Sequence, residues 1–124
     1  MLTRKTEGST SFFYDGSALV LTADEKMVDG ALLMTLSGKL RTDAAHFIQD
    51  ELDAFVTLGI KVIVDLKDVT FITPTVLHAF LSTQQNIDML GKGELRLRNA
   101  PEQVLSEMEK VAINAELLMM DDGG

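Results

Sequence analysis

Hydrophobic positions along the chain fall into short runs and longer repeats. Residues 18–22, 31–36 and 60–66 are short and rich in Leu, Val and Ile, which is typical of strands. The second run is apolar enough to be covered on both faces. Asp29 and Gly30 separate the first two runs and are typical of a tight turn. Residues 94–98 alternate charged and apolar side chains, and residues 117–120 predict a final strand.

Three other segments repeat hydrophobic residues at helical spacing, within residues 44–56, 76–90 and 104–112. Thr42 is placed to cap the first helix, and Gly59 is a natural left-handed stop after it.

The second helix has the clearest start in the sequence. Thr73 is a favourable cap, and Pro74 suits the first helical position, where no amide hydrogen is required. Gly91 predicts its end. Before it, residues 67–70 predict a turn, after which residues 71–72 return to the core.

The order of elements predicts an α/β fold with a small mixed, mainly parallel sheet and alternating helices. Residues 18–120 form the predicted domain, and residues 121–124 an acidic tail. Residues 1–17 are predicted to be an arm or an edge strand. Their aromatic residues, 12–14, pack on this domain or on a second copy of it, which leaves a homodimer open.

Composition narrows the classes of function. The net charge of −8, without a basic stripe, argues against nucleic acid as a partner. The absence of cysteine excludes disulfides and thiolate metal sites. No apolar run reaches the ~18 residues of a membrane span, and the N-terminus lacks the apolar middle of a secretion signal. These features predict a cytoplasmic protein without direct membrane insertion.

Residues that could carry catalysis are few. His46 and His78 lack the spacing of a metal site, and no phosphate-binding glycine loop or nucleophile motif occurs. Asp65 and Asp68 flank the predicted end of the third strand, where α/β folds place ligand crevices. Asp also caps turns through its own backbone, and we favour that interpretation. The sequence therefore predicts no enzyme activity, cofactor or metal.

The ordered set of segments resembles the STAS (anti-sigma factor antagonist) family from about residue 18 to residue 120. The resemblance is carried by LSGKL at residues 36–40, IVDLKDV at 63–69 and FI at 71–72. The second helix, LRLRN at residues 95–99 and a helix begun by proline follow in the family order.

Membership of this family implies a protein-binding role in partner switching. Its anti-sigma factor antagonists bind a kinase that otherwise holds a sigma factor. The kinase phosphorylates a serine at the start of the second helix and thereby ends the complex. A phosphate on a fitted surface disrupts binding by repulsion and desolvation.

This chain departs from the family motif, Asp-Ser-Ser/Thr-Gly, at that helix start. Thr73 takes the position of the Asp, Pro74 that of the phosphorylated Ser, and Val76 that of the Gly. Pro74 has no hydroxyl and cannot be phosphorylated. Thr75 is the substitute candidate for a phosphoacceptor, and Thr73 is a second one that also suits a structural cap.

We therefore expect a non-enzymatic regulatory module whose partner is an anti-sigma factor or a related kinase. An alternative is an accessory subunit that docks on the ATPase of a membrane transporter. A small nucleotide-binding domain or enzyme is the remaining hypothesis. The predicted partner-binding surface consists of Thr73, Pro74, Thr75, His78, Gly38 and Lys39.

Overall fold

The strands lie side by side in one sheet, in the same order as in the chain. The computed structural model describes residues 1–110 and 120–121. Its strands are β1 (Thr3–Glu7), β2 (Thr10–Asp15), β3 (Ala18–Val28), β4 (Ala31–Leu40), β5 (Lys61–Ile72), β6 (Glu94–Arg98) and β7 (Met120–Asp121). Its helices are a 3₁₀ turn (Thr42–Ala44), α1 (Ala45–Thr57), α2 (Pro74–Leu90) and α3 (Glu102–Lys110).

The predicted mixed α/β architecture is confirmed, but the expectation of a mainly parallel sheet is wrong. The pairings from β1 to β4 are antiparallel, and those from β4 to β7 are parallel. The difference arises because residues 1–17 supply two additional hairpin strands. The predicted turn between β3 and β4 is confirmed, since Asp29 and Gly30 both have positive φ angles, of 53° and 82°.

The described helices share one layer, because α1 packs against α2 and α2 against α3. Inward side chains of the strands are buried against this layer, including Met34, Leu36, Val64 and Leu97. Matching buried residues on the helices, such as Leu52 and Phe80, complete the core. The opposite face of the sheet has no helix on it in the described part of the chain.

Strand β5 is longer than the sequence predicts. Residues 67–70 do not turn but continue the strand to Ile72, with two shifts in its register against β4. Thr35 pairs with Asp65, and the next pair is Ser37 with Asp68. Strand β4 therefore advances by two residues where β5 advances by three, which defines a β-bulge in β5. The Asp65 carboxylate accepts the Lys67 amide hydrogen at 3.0 Å, beside this bulge.

Predicted helix ends agree with the structure better at α2 than at α1. Helix α2 begins at Pro74 and ends before Gly91, which has a φ of 69°. At α1 the predicted cap is wrong, because Thr42 lies within the 3₁₀ turn and Arg41 precedes that turn. Gly59 does follow α1 with a φ of 79°. Of the predicted last strand, residues 117–119 lie outside the described residues.

The N-terminal hairpin of β1 and β2 packs on the helix layer. Phe13 is buried, and its ring centroid lies 4.6 Å from that of Phe47 on α1. The Arg4 guanidinium lies 4.7 Å from the Phe47 centroid, within cation–π range, and donates to Ser11 at 3.1 Å. These contacts attach residues 1–17 to their own domain, although the domain limits themselves stay a prediction.

Glu25 faces α1 from the inward side of β3. Its Oε2 atom is buried, and the described residues provide it with no hydrogen-bond partner. Burial and the neighbouring Glu51 carboxyl raise the pKa of Glu25 to about 7, while the Arg4 cation opposes that rise. Glu25 is therefore an acid that the folded state prefers to keep protonated.

We expect the contribution of Glu25 to the free energy of unfolding to fall as the pH rises from about 4.5 to 7, because deprotonation is easier in the unfolded chain. Solvent still reaches part of this carboxyl group and screens it, which reduces the loss to the order of 2 kcal/mol. Glu25→Gln should flatten this slope and make the protein more stable than the wild type at pH 8. Urea unfolding at pH 5 and pH 8 measures both effects, and an unchanged slope in the variant would contradict the assignment.

Candidate functional site

The start of α2 follows directly from the end of β5. Thr73 is the N-cap residue in an extended conformation, and its carbonyl accepts the amides of Val76 and Leu77 at 3.1 and 3.2 Å. Its side chain forms no capping hydrogen bond, and Oγ1 is buried without a partner among the described residues. The cap of this helix therefore depends on the backbone of Thr73 rather than on its hydroxyl group.

Three predicted site residues are exposed together on the first turn of α2. Pro74, Thr75 and His78 are all exposed, and His78 lies four residues after Pro74 and three after Thr75. Residues at these spacings are neighbours on one side of a helix. The turn therefore presents a pyrrolidine ring, a hydroxyl and an imidazole to solvent.

Gly38 lies where β4 is held between β3 and β5. It pairs with Leu21 on one side and Val69 on the other, and its carbonyl accepts the Thr70 hydroxyl at 3.3 Å. Its φ is 99°, and an added Cβ would lie only 2.3 Å from the Val20 carbonyl oxygen. Only glycine fits this position without displacement of the β3 backbone.

Exposed apolar side chains border the end of β4. Lys39 is paired in register with Phe71, which is 48% exposed. Leu19 on β3 is 53% exposed and lines a hollow of about 390 Å³ together with Lys39 and Thr70. Thr73, two residues beyond Phe71, is the N-cap of α2, and its amide donates to the Leu40 carbonyl at 3.2 Å.

These residues form what we call the tip surface, composed of Leu19, Gly38, Lys39, Phe71, Pro74, Thr75 and His78. The structure thus brings together the predicted residues of β4 and α2, whereas the Thr73 side chain lies beneath the surface. Leu19 and Phe71 were missed from the sequence. Both belong to apolar runs that predict buried strands, so no sequence signal marked them as exposed.

A charged cluster fixes one border of the tip surface. The Arg41 guanidinium contacts Asp15 at 2.9 Å and Asp43 at 2.6 Å, so that it joins the end of β2 to the 3₁₀ turn. Hydrogen bonding from Arg41 lowers the pKa of the Asp15 carboxyl. The three groups satisfy one another and leave the adjacent hollow without an unpaired acid from this cluster.

The carboxylates considered for catalysis do not form a joint site. Asp65 is buried and also accepts the Asn99 side-chain amide at 3.3 Å, while Asp68 is exposed. His46 on α1 faces Asp50 at 3.2 Å on an exposed surface. Among the described residues, no three potential metal-binding side chains are grouped.

None of the described helices is long and apolar enough to cross a lipid bilayer.

The sequence model of the STAS domain matches residues 22–122 of the chain. No curated protein matches this chain significantly in sequence. The match runs from within β3 to β7 and includes every residue of the tip surface except Leu19.

Solved structures with the same fold include several antagonists of anti-sigma factors. One from Mycobacterium paratuberculosis has 15% sequence identity and a TM-score of 0.66, over 81% of this chain and 85% of that chain. A Thermotoga maritima protein provisionally assigned to this type has 22% identity and a TM-score of 0.68, over 80% and 86%. The phosphorylated form of the Bacillus cell fate determinant SpoIIAA has 14% sequence identity and a TM-score of 0.60. The similarity covers 80% of this chain and 90% of that chain. At these identities the likeness shows a shared fold.

We expect Gly38→Ala to destabilise the protein by roughly 3–5 kcal/mol, from the contact with the Val20 carbonyl and the unfavourable φ. Gly91→Ala is the matched control, because Gly91 also has a positive φ but has open space around its Cβ position. That control should lose only about 1–2 kcal/mol. Urea unfolding of both variants measures the difference, and equal losses would contradict the steric argument.

Proposed function

Because the chain belongs to the STAS domain family, we propose that it is a non-enzymatic regulatory module that docks on another protein through the tip surface. The partner is an anti-sigma factor or a related kinase in a bacterial partner-switching circuit. The proposal places the protein in the cytoplasm, where such partners act. Membership of the family and the anti-sigma factor antagonists among the similar structures support this class of partner.

The observation that carries the proposal is that two exposed apolar residues, Leu19 and Phe71, lie next to Lys39 at the end of β4, with Phe71 three residues before the start of α2. An apolar side chain that is half exposed gives up solvent contact on binding, and about 25 cal/mol is gained for each Å² buried. Lys39 lies on β4, between the strands of Leu19 and Phe71, and His78 lies on α2, so both add polar contacts next to the apolar residues. Protein interfaces combine apolar and polar contacts of this kind.

Pro74 removes the hydroxyl through which the family switch operates. It also lacks an amide hydrogen, and the Val76 and Leu77 amides already donate to Thr73, so the first turn retains few donors for a phosphate. Of the two remaining hydroxyl groups, that of Thr75 is on an exposed residue and that of Thr73 is buried. We therefore assign constitutive docking to this protein, with Thr75 as the displaced acceptor if a kinase acts on it.

The lack of an acceptor at position 74 also favours the second candidate function. An accessory subunit of a transporter must stay bound to its ATPase and needs no phosphorylation switch. In that role the same tip surface would contact the ATPase, and only the identity of the partner would differ.

We expect Phe71→Asp to abolish capture of the partner, because a buried, unpaired carboxylate is costly at an interface. The protein, immobilised and exposed to lysate of its source cell, should recover a sigma-factor-regulating kinase or a transporter ATPase, identified by mass spectrometry. Leu58→Asp is the matched control, since Leu58 is 73% exposed at the far end of α1. Equal capture by both variants would contradict docking at the tip surface.

We expect Pro74→Ser to create a phosphoacceptor with a stability loss of about 1 kcal/mol or less, because a first-turn position does not require proline. After incubation with the captured kinase and ATP, mass spectrometry should find phosphate on the variant at position 74 and none on the wild type. Phosphate on wild-type Thr75 would contradict constitutive docking and show a displaced switch.

A further inference from the structure

The turn between β2 and β3 precedes the stretch of chain that the STAS model matches. That stretch begins at residue 22, within β3, so the N-terminal hairpin and the first residues of β3 lie outside it. Strand β2 ends at Asp15, β3 begins at Ala18, and these two residues are paired. Residues 15–18, which we call the β2–β3 turn, are all exposed. Membership of the family therefore does not account for this part of the surface.

The β2–β3 turn forms one wall of the hollow beside the tip surface. Several residues that line this hollow of about 390 Å³ precede the matched stretch, namely Asp15, Ala18, Leu19 and Val20. Lys39 lines the same hollow from β4. Since Leu19 and Lys39 belong to the tip surface, the turn and the tip surface are continuous across the hollow.

Contacts with two other elements hold the turn in place. The Asp15 carboxylate contacts the Arg41 guanidinium at 2.9 Å, and the same guanidinium contacts Asp43 in the 3₁₀ turn at 2.6 Å. Two residues before Asp15, the Phe13 ring packs against Phe47 on α1 at 4.6 Å between centroids. The turn is thus positioned before a partner arrives, so that a contact made there loses little conformational entropy.

The charges at the hollow cancel one another. Among the described residues they are two cations and two carboxylates: Lys39, Arg41, Asp15 and Asp43. Neither an acidic nor a basic side chain of a partner therefore gains a net attraction there. The walls from residues 18–20 are apolar, and against them an uncharged apolar side chain gains free energy on burial, whereas a charged one loses its hydration.

We propose that the β2–β3 turn is a second contact region of the docking site, where an uncharged apolar side chain of the partner packs against Ala18 and Leu19. This inference rests on the proposed docking function, because its partner is the protein that binds the tip surface. It gives the N-terminal hairpin a role in recognition, since β2 carries the turn to the edge of the tip surface.

The experiment measures the affinity of the captured partner for immobilised variants of the protein. Ala18→Glu and Ala18→Lys should each weaken binding by about tenfold or more, because either charge would lose its hydration against an apolar side chain. Ala54→Glu and Ala54→Lys are the matched controls and should bind as the wild type does, since Ala54 is exposed near the C-terminal end of α1. The thermal midpoint of each variant checks that it is folded.

The dependence on salt separates an apolar contact from an electrostatic one. Salt screens interactions between exposed charges but does not restore the burial of an apolar side chain. We therefore expect both Ala18 variants to keep their loss of affinity when the salt concentration is raised. A loss that disappears in high salt would show long-range repulsion and would overturn the assignment of an apolar contact.

Phe71→Asp distinguishes failure of this inference from failure of the docking function. If Phe71→Asp abolishes binding while both Ala18 variants bind as the wild type does, the turn is not part of the docking site and the proposed function stands. If Phe71→Asp also leaves binding unchanged, the docking function fails and this inference fails with it. Opposite effects of the two charges at position 18 would show that the partner presents a charged group to the turn, which would also overturn the inference.

Discussion

The contact between Gly38 and the Val20 carbonyl is the constraint on which the rest of the structure depends. Strand β4 pairs with antiparallel β3 along one edge and with parallel β5 along the other, and Gly38 is its last residue that pairs with both. Two residues further, the Leu40 carbonyl accepts the Thr73 amide and thereby places the start of α2. A side chain at position 38 would separate the strands and move the helix with them.

The tip surface combines this rigid support with an unusual helix start. The pyrrolidine ring of Pro74 restricts φ before folding, so the first turn loses little conformational entropy when it orders. Leu19 and Phe71 are two of nine large apolar residues that are exposed in the described part of the chain, and they lie next to Lys39, one of the residues predicted to bind a partner. A preorganised surface of this kind loses little conformational entropy when it binds a partner, which suits a docking role without a switch.

Local signals were enough to predict α2 and the β3–β4 turn, because Pro74, Gly91, Asp29 and Gly30 act through their own backbone preferences. They were not enough for β5, where the bulges depend on how β4 pairs with it. The register shift also decides the exposure of Phe71, which explains why the sequence indicated a buried residue there.

Contacts between residues far apart in sequence also determine the conformation of the N-terminal region. Phe13 is buried because Phe47 on α1 meets it, a contact between residues far apart in sequence. The hairpin that results adds two antiparallel strands, so the balance of parallel and antiparallel pairing could not be read from residues 18–120 alone. In the same way, the hydroxyl of Thr73 has the right position for a cap, yet tertiary packing buries it away from the helix amides.

The most direct test of the account is hydrogen–deuterium exchange of this protein, free and bound to its captured partner. The docking surface that we infer predicts that slowed exchange on binding is centred on residues 38–41 and 70–78. Slowed exchange centred instead on the β1–β2 hairpin, or on the far ends of α1 and α2, with no change at residues 70–78, would contradict it.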